Sequence, residues 1–205
     1  MDCTAGIFLD TGRIDKSTNY FNKAHHSFEQ LKNEDNLDVA VFWDNYARLF
    51  KVKKDYESAE RCMNEALQIE EKVVGHVHLD TSKTLNNLGG LYQDTGKLDK
   101  ALHYYTEALN IRIELLGENH PITAVVYDNI ASLYLEEGKL DDAERLYRKN
   151  YEIFETAYGE NDINVAVALN GLSEVCIRKG DLSKARALKE KAKLIIDAYQ
   201  LPIIA

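Results

Sequence analysis

The sequence predicts an all-α chain: a solenoid in which antiparallel helix pairs stack one on the next. Three observations predict it. Residues 84–113 read as two amphipathic helices with a break at Gly96: Leu85, Leu88, Gly89 and Tyr92 recur at helical spacing before it, and Leu98, Ala101, Tyr105, Ala108 and Leu109 after it. Gly96, Gly138 and Gly180 stand 42 residues apart, and the same step backwards reaches Lys54 and Gly12 in the strings TGRID, VKKDY, TGKLD, EGKLD and KGDLS. A second mark, Gly75, Gly117 and Gly159 with Asn33 before them, keeps the same period, as do Ala59, Ala101, Ala143 and Ala185 after the break. A helix pair with so narrow an apolar stripe cannot bury a core alone and must stack on similar neighbours.

The units follow in order. Residues 1–33 hold a partial first repeat. Its first helix is only half present, with Phe8 in the slot of Phe50, Tyr92 and Tyr134, and Met1 where Trp43 and Leu85 sit. The expectation is a piece of a longer chain or an atypical N-terminal cap. Its second helix runs from about Asp15 to Leu31, with Tyr20, Phe21, Ala24, Phe28 and Leu31 as its stripe. The second unit covers 37–75, the third 79–117, the fourth 121–159 and the fifth 163–199, with 200–205 as a tail, all in a single repeat domain 1–205. Asn36, His78, His120 and Asp162 occupy N-cap slots, where a short acceptor takes a free backbone N–H. Pro121 follows His120 at the first helical position, where its missing N–H costs nothing. Phe21, Met63, Tyr105 and Tyr147 share a slot that presses on the next unit; one period on stands Lys189, amid Lys184, Arg186, Lys191 and Lys193. A terminal repeat needs a polar outer face, so this helix is expected to be the C-terminal cap.

Composition narrows the function. The net charge of −9 argues against general nucleic-acid or anionic-membrane binding. No apolar run approaches the roughly 18 residues of a membrane span, and no signal-peptide pattern is present. Cys3, Cys62 and Cys176 are scattered without metal spacing, and no Asn-x-Ser/Thr sequon occurs, which together point to the cytoplasm. His76, His78 and His120 lie in loops without a third ligand nearby and read as turn and cap residues rather than a metal site. His25 and His26 read as solvated, Cys62 and Cys176 as small core residues, and the tyrosines as packing residues on repeat slots. No phosphate loop, dinucleotide fingerprint, zinc-protease motif or nucleophile elbow is present, so no enzyme and no cofactor are expected.

Trp43-x-x-Tyr46-Ala47-x-x-Phe50 followed by Ala59-x-x-x-Met63, and Leu85-x-x-Leu88-Gly89-x-x-Tyr92 followed by Ala101-x-x-x-Tyr105, resemble the tetratricopeptide repeat. That repeat usually spans about 34 residues. The longer period here, with the LNNL of Leu85–Leu88 and the LGENHP of Leu116–Pro121, is similar to the kinesin light chain and nephrocystin-like subfamily. The resemblance implies a right-handed superhelix of about ten helices whose first helices line a concave groove. It covers nearly the whole chain and speaks more to fold than to function. The heptad coiled coil with which kinesin light chains grip the motor has no counterpart here, so motor attachment is not implied.

A second stripe on each first helix, spaced by four, three and four residues, would then face the groove. It consists of Val41, Asn45, Arg48 and Val52; Lys83, Asn87, Gly90 and Asp94; Val125, Asn129, Ser132 and Glu136; and Val167, Gly171, Glu174 and Arg178. Asn45, Asn87 and Asn129 form a ladder one period apart, beside Asp44, Asn86, Asp128 and Asn170 at the rim. An amide carries donor and acceptor and can pair with the backbone of an extended peptide. Arg48 and Lys83 would select acidic side chains. Val125 and Asn129 stand where some relatives clamp a carboxylate with basic residues, which argues against carboxylate capture. The expected function is a protein–protein interaction module, an adaptor holding a short peptide or a partner helix. Three alternatives stay open: asparagines that merely hold the units in register, self-association or contact with a missing segment through the N-terminal edge, and an accessory repeat domain of a larger signalling protein.

Overall fold

The computed structural model describes residues 14–30 and 36–200. Among them are nine helices and no strand: α1 Ile14–Gln30, α2 Leu37–Val52, α3 Tyr56–Val73, α4 Leu79–Asp94, α5 Leu98–Leu116, α6 Pro121–Glu136, α7 Leu140–Tyr158, α8 Ile163–Lys179 and α9 Leu182–Gln200. The all-α architecture of helix pairs is the expected one. The expectations about Met1, Phe8, Gly12, Asn33, Leu31 and Cys3, the tail beyond 200, and the side chains of Ala24, His25, His26 and Phe28 lie outside the described residues.

The periodic glycines break the chain for a stereochemical reason. Gly75, Gly96, Gly117, Gly138, Gly159 and Gly180 all have positive φ, between 71° and 91°. An L side chain is strained there and glycine is not. Lys54, in the equivalent slot, takes φ 60° despite its side chain. The chain re-enters helix through caps. The N–H of Asp38 donates to Asn36 Oδ1 at 2.9 Å, that of Asp80 to His78 Nδ1 at 3.2 Å, that of Ile122 to His120 Nδ1 at 3.1 Å and that of Asn164 to Asp162 Oδ1 at 2.8 Å. Both loop histidines in cap slots are therefore caps, as their positions predict. His76 instead pairs with Glu71 at 2.9 Å. Two further bonds close the longer loops: the buried hydroxyls of Thr81 and Thr123 donate to the carbonyls of Gly75 and Gly117, each at 3.0 Å.

The chain divides into two compact units, Met1–Tyr104 and Tyr105–Ala205. In the first, α1 packs on α2, α2 on α3 and α3 on α4. Phe21 from α1 meets Phe42 and Tyr46 with ring centroids 5.9 and 5.3 Å apart, and Tyr46 meets Phe50 at 4.6 Å. Trp43, Met63, Leu85, Leu88 and Tyr92 are buried beyond them. Tyr92 stacks on Tyr104 at 5.3 Å and donates its hydroxyl hydrogen bond to Glu60 at 2.6 Å.

In the second unit α6 packs on α7, α7 on α8 and α8 on α9, with a lighter contact between α6 and α8. Its core includes Val126, Ile130, Leu133, Tyr147, Phe154, Leu169, Val175 and Cys176. Burial pushes the Cys62 thiol of the first unit up to about 12, which leaves it an inert core residue. Lys184, Arg186, Lys189, Lys191 and Lys193 are all exposed on α9. Leu182, Leu194 and Tyr199 are exposed among them.

Candidate functional site

The first helices of the pairs are α2, α4, α6 and α8, and their second stripe is largely solvent-facing. In the first unit Val41 is 47% exposed and Val52, Arg48, Lys83 and Asp94 are exposed, while Asn45 and Asn87 are half-buried. In the second unit Val125 (44%) and Val167 (49%) are exposed with Glu136 and Arg178, and Asn129, Ser132, Gly171 and Glu174 are half-buried. Side chains four and three apart share one side of a helix, so each helix presents a mixed apolar and polar strip.

Hydrogen bonding divides the predicted residues. Asn45 donates Nδ2 to the carbonyl of Val41, one turn back in its own helix, at 3.0 Å. Arg48, Asn86 and Asn129 each engage a neighbouring group. Asn87 is half-buried and Asn170 exposed on their helices. Asp128 is half-buried and accepts from the fully buried Asn150 of α7 at 3.0 Å, and burial raises its pKa against that hydrogen bond. Asp44 departs furthest from a rim residue. It is 2% exposed, accepts from the Thr84 hydroxyl at 3.3 Å and pairs with Lys83 Nζ at 2.9 Å. Lys83 therefore already has a carboxylate partner, although its side chain is still 55% exposed.

The far ends of the strips are tied down too. Lys51 meets Asp94 at 2.9 Å, linking α2 to α4. Arg178 meets Glu174 at 3.3 Å and donates to the carbonyl of Leu135 in α6, also at 3.3 Å. Lys179 bridges α8 to α7 through Asp141 (2.6 Å) and Glu144 (2.7 Å). The Lys179 and Arg148 hydrogen bonds hold the Glu144 carboxyl down at about 2.

Two features had no sequence signal. Glu70 of α3 is 3% exposed and meets the Thr84 hydroxyl through Oε1 at 3.1 Å, beside Asp44. The sequence shows an acid at this position of α3 without saying that it is buried. The second feature is a cleft of about 630 Å³ in the second unit, lined by Asn119, Arg145, Arg148, Lys149, Glu152 and Ile153 among others. Its cations are all matched: Arg145 with Asp142, Arg148 with Glu144, and Lys149 with Glu118. The cleft thus carries no unbalanced positive charge. Among the described residues no group of histidine, cysteine and carboxylate side chains could hold a metal ion, and no helix is long and apolar enough to cross a membrane.

Comparison with known proteins bears on the family. No curated relative matches the sequence. Among solved structures, BtubC (BKLC) from P. vanneervenii is 23% identical over 98% of this chain and 80% of its own, with a TM-score of 0.78. The nearly identical TPR-like repeats of a candidate kinesin light chain from Podosopora anserina are 15% identical over 97% and 94%, at 0.76. The Rap conjugation gene regulator of plasmid pLS20, solved in complex with the Phr* peptide, is 16% identical over 95% of this chain and 52% of that one, at 0.76. At such identities the likeness is one of fold. The family model for the tetratricopeptide repeat matches residues 38–114, 80–156 and 129–193, overlapping registers that run through α2 to α9. With the helix pairs, the periodic glycines and this match together, the chain belongs to the tetratricopeptide repeat family.

Proposed function

We propose that this chain is a non-catalytic, cytoplasmic interaction module that holds a short peptide or a partner helix against the exposed faces of its first helices. The observation that carries the reading is the recurrence of an exposed valine at one repeat slot. Val41, Val125 and Val167 each lie one turn before a ladder position, with Lys83 in the remaining slot. These aliphatic side chains left in water give a ligand apolar area to cover, and at Val125 the amide of Asn129 stands one turn on as a group that can pair with its backbone. The Rap regulator, whose structure contains a peptide, shares the fold and makes the class of ligand reasonable. Asn87 and Asn129 are the residues assigned to backbone pairing. Lys83 takes a smaller part than its charge suggests, because an acidic ligand would have to compete with Asp44.

A second reading rests on the hydrogen bonds. Asn45 bonds its own helix, Asp44 bonds Thr84 across to α4, and Asp128 bonds Asn150 across to α7. These residues serve register and packing, the pattern expected of a scaffold. Peptide display against the purified chain, repeated with Asn87→Ala and Asn129→Ala together, separates the two. Under the module reading a recurring motif is selected and the double variant loses it. Each peptide group left unpaired costs about 1–3 kcal/mol. No enrichment by a well-folded protein, or an unchanged motif with a variant of lowered melting temperature, would support the scaffold reading.

A further inference from the structure

We propose that Glu70 is held as a neutral carboxylic acid in a buried relay, Glu70–Thr84–Asp44, and that its ionisation is a pH-sensitive release of the joint between α3 and α4. The argument is a count of protons. Thr84 Oγ1 lies 3.1 Å from Glu70 Oε1 and 3.3 Å from Asp44 Oδ1. One hydroxyl carries one proton and donates one hydrogen bond. If both carboxyls were ionised, one of the two contacts would set lone pairs against each other in a buried space. A single proton on one acid repairs this: the acid donates to the Thr84 oxygen, and Thr84 donates to the other carboxylate.

The surroundings decide which acid keeps the proton. Lys83 Nζ stands 2.9 Å from Asp44 Oδ2, so the nearest cation of the cluster lies against Asp44. Glu70 is 3% exposed, and its Oε2, like Asp44 Oδ2, is buried without a hydrogen-bond partner, but only Asp44 Oδ2 has the Lys83 ammonium against it. Burial pushes Glu70 up to about 7, with Asp44 of α2 and Asp80 of α4 adding to the rise, and the Thr84 hydrogen bond and Lys83 of α4 opposing it. The relay therefore runs from neutral Glu70 through Thr84 to ionised Asp44, closed at its outer end by Lys83.

The acid is peculiar to this joint. One and two periods on, its slot holds Arg112 and Phe154. Arg112 is buried and donates a permanent hydrogen bond to the carbonyl of Ile122 at 2.7 Å, and Phe154 is buried without polar demand. Of these three slots, only that of Glu70 holds a group whose proton titrates. The sign follows from linkage. The native state keeps the proton up to about 7, whereas the unfolded chain releases it near 4.5, so the stability contributed by the neutral acid is lost as pH rises through about 7. Above that, Glu70 and Asp44 compete for the one charge of Lys83.

The test is a ¹³C titration of the Glu70 carboxyl in the intact chain, paired with hydrogen exchange of the α4 amides at pH 6 and pH 8. Glu70 is expected to titrate far above the other glutamates. Protection in α4, corrected for intrinsic exchange, should fall by up to about tenfold between the two pH values. Glu70→Gln, whose amide donates to Thr84 in place of the acid proton, should hold its protection constant. A Glu70 carboxyl that titrates near the ordinary value of about 4.3, or a Glu70→Gln chain with the wild-type pH dependence, would overturn the proposal. The titration is made on the unaltered protein and decides the matter by itself if the variant does not fold.

Discussion

Gly171→Ala tests the packing most directly, because helix propensity and packing predict opposite signs for it. Gly171 lies inside α8, where alanine is worth about 1 kcal/mol more than glycine. A Cβ built at Gly171 would stand 2.4 Å from Cε1, 2.5 Å from Cδ1 and 2.7 Å from Cζ of Tyr147. Ordinary carbon contacts lie at about 3.5–4.0 Å, so the ring would have to retreat by about 1 Å. It has little room, being 5% exposed and hydrogen-bonded to Ser132 through its hydroxyl. Overpacking of a filled core costs about 1–3 kcal/mol, and a clash with three ring atoms belongs in the upper part of that range. The net expectation is a loss of about 1–2 kcal/mol. For a chain of this size that lowers the melting temperature by about 2–8 °C, measured by circular dichroism or calorimetry. The same substitution in a Tyr147→Leu background should instead stabilise by up to about 1 kcal/mol, since only the propensity term survives. If Gly171→Ala stabilises the unaltered chain, the ring does not rest on the helix backbone and the packing argument fails.

Three other outcomes can be checked on the same apparatus. Lys54→Gly should stabilise by about 0.5–1 kcal/mol, because the positive φ of Lys54 is strained for an L side chain and free for glycine; a loss in urea unfolding would contradict this. Thr123→Val keeps the shape but removes one of the two hydrogen bonds to the Gly117 carbonyl, leaving that from the His120 N–H at 3.4 Å, and should cost about 0.5–1.5 kcal/mol with α6 fraying first in hydrogen exchange. Glu144 binds its proton less readily in the native state than when unfolded, so the stability it contributes is present above about pH 4.5 and is lost as pH falls toward 2. Glu144→Gln should accordingly flatten that part of the acid-unfolding curve, and an identical curve would show the Lys179 bridge to be idle.

The asparagine ladder illustrates where sequence reading stops. Asn45, Asn87 and Asn129 repeat every 42 residues, and the next rung is Gly171. In one dimension that is a missing asparagine. In three it is the space that the Tyr147 ring occupies, in keeping with the slot of Phe21, Met63, Tyr105 and Tyr147 that presses on the next unit. Asp44 likewise shares its slot with Asn86, Asp128 and Asn170, yet it is buried by Thr84 and Lys83 from α4. A rim position on one helix says nothing about which neighbours close over it.

What the sequence by itself determined is the helix-pair fold, its punctuation and its caps. Each depends on interactions between residues a few positions apart: the 3.6-residue period of apolar side chains, the left-handed backbone that glycine permits, and the acceptor two residues before a free N–H. The tertiary structure alone decided which polar residues of the exposed strip remain open to a ligand and which are spent on the protein. It also placed Glu70, Thr84 and Asp44 in one buried cluster. Those outcomes depend on distances between residues 14 to 40 apart in the chain, set by the packing of one helix on the next. A repeat period fixes equivalent places along the chain, and the side chains that meet across the helices differ from one repeat to the next.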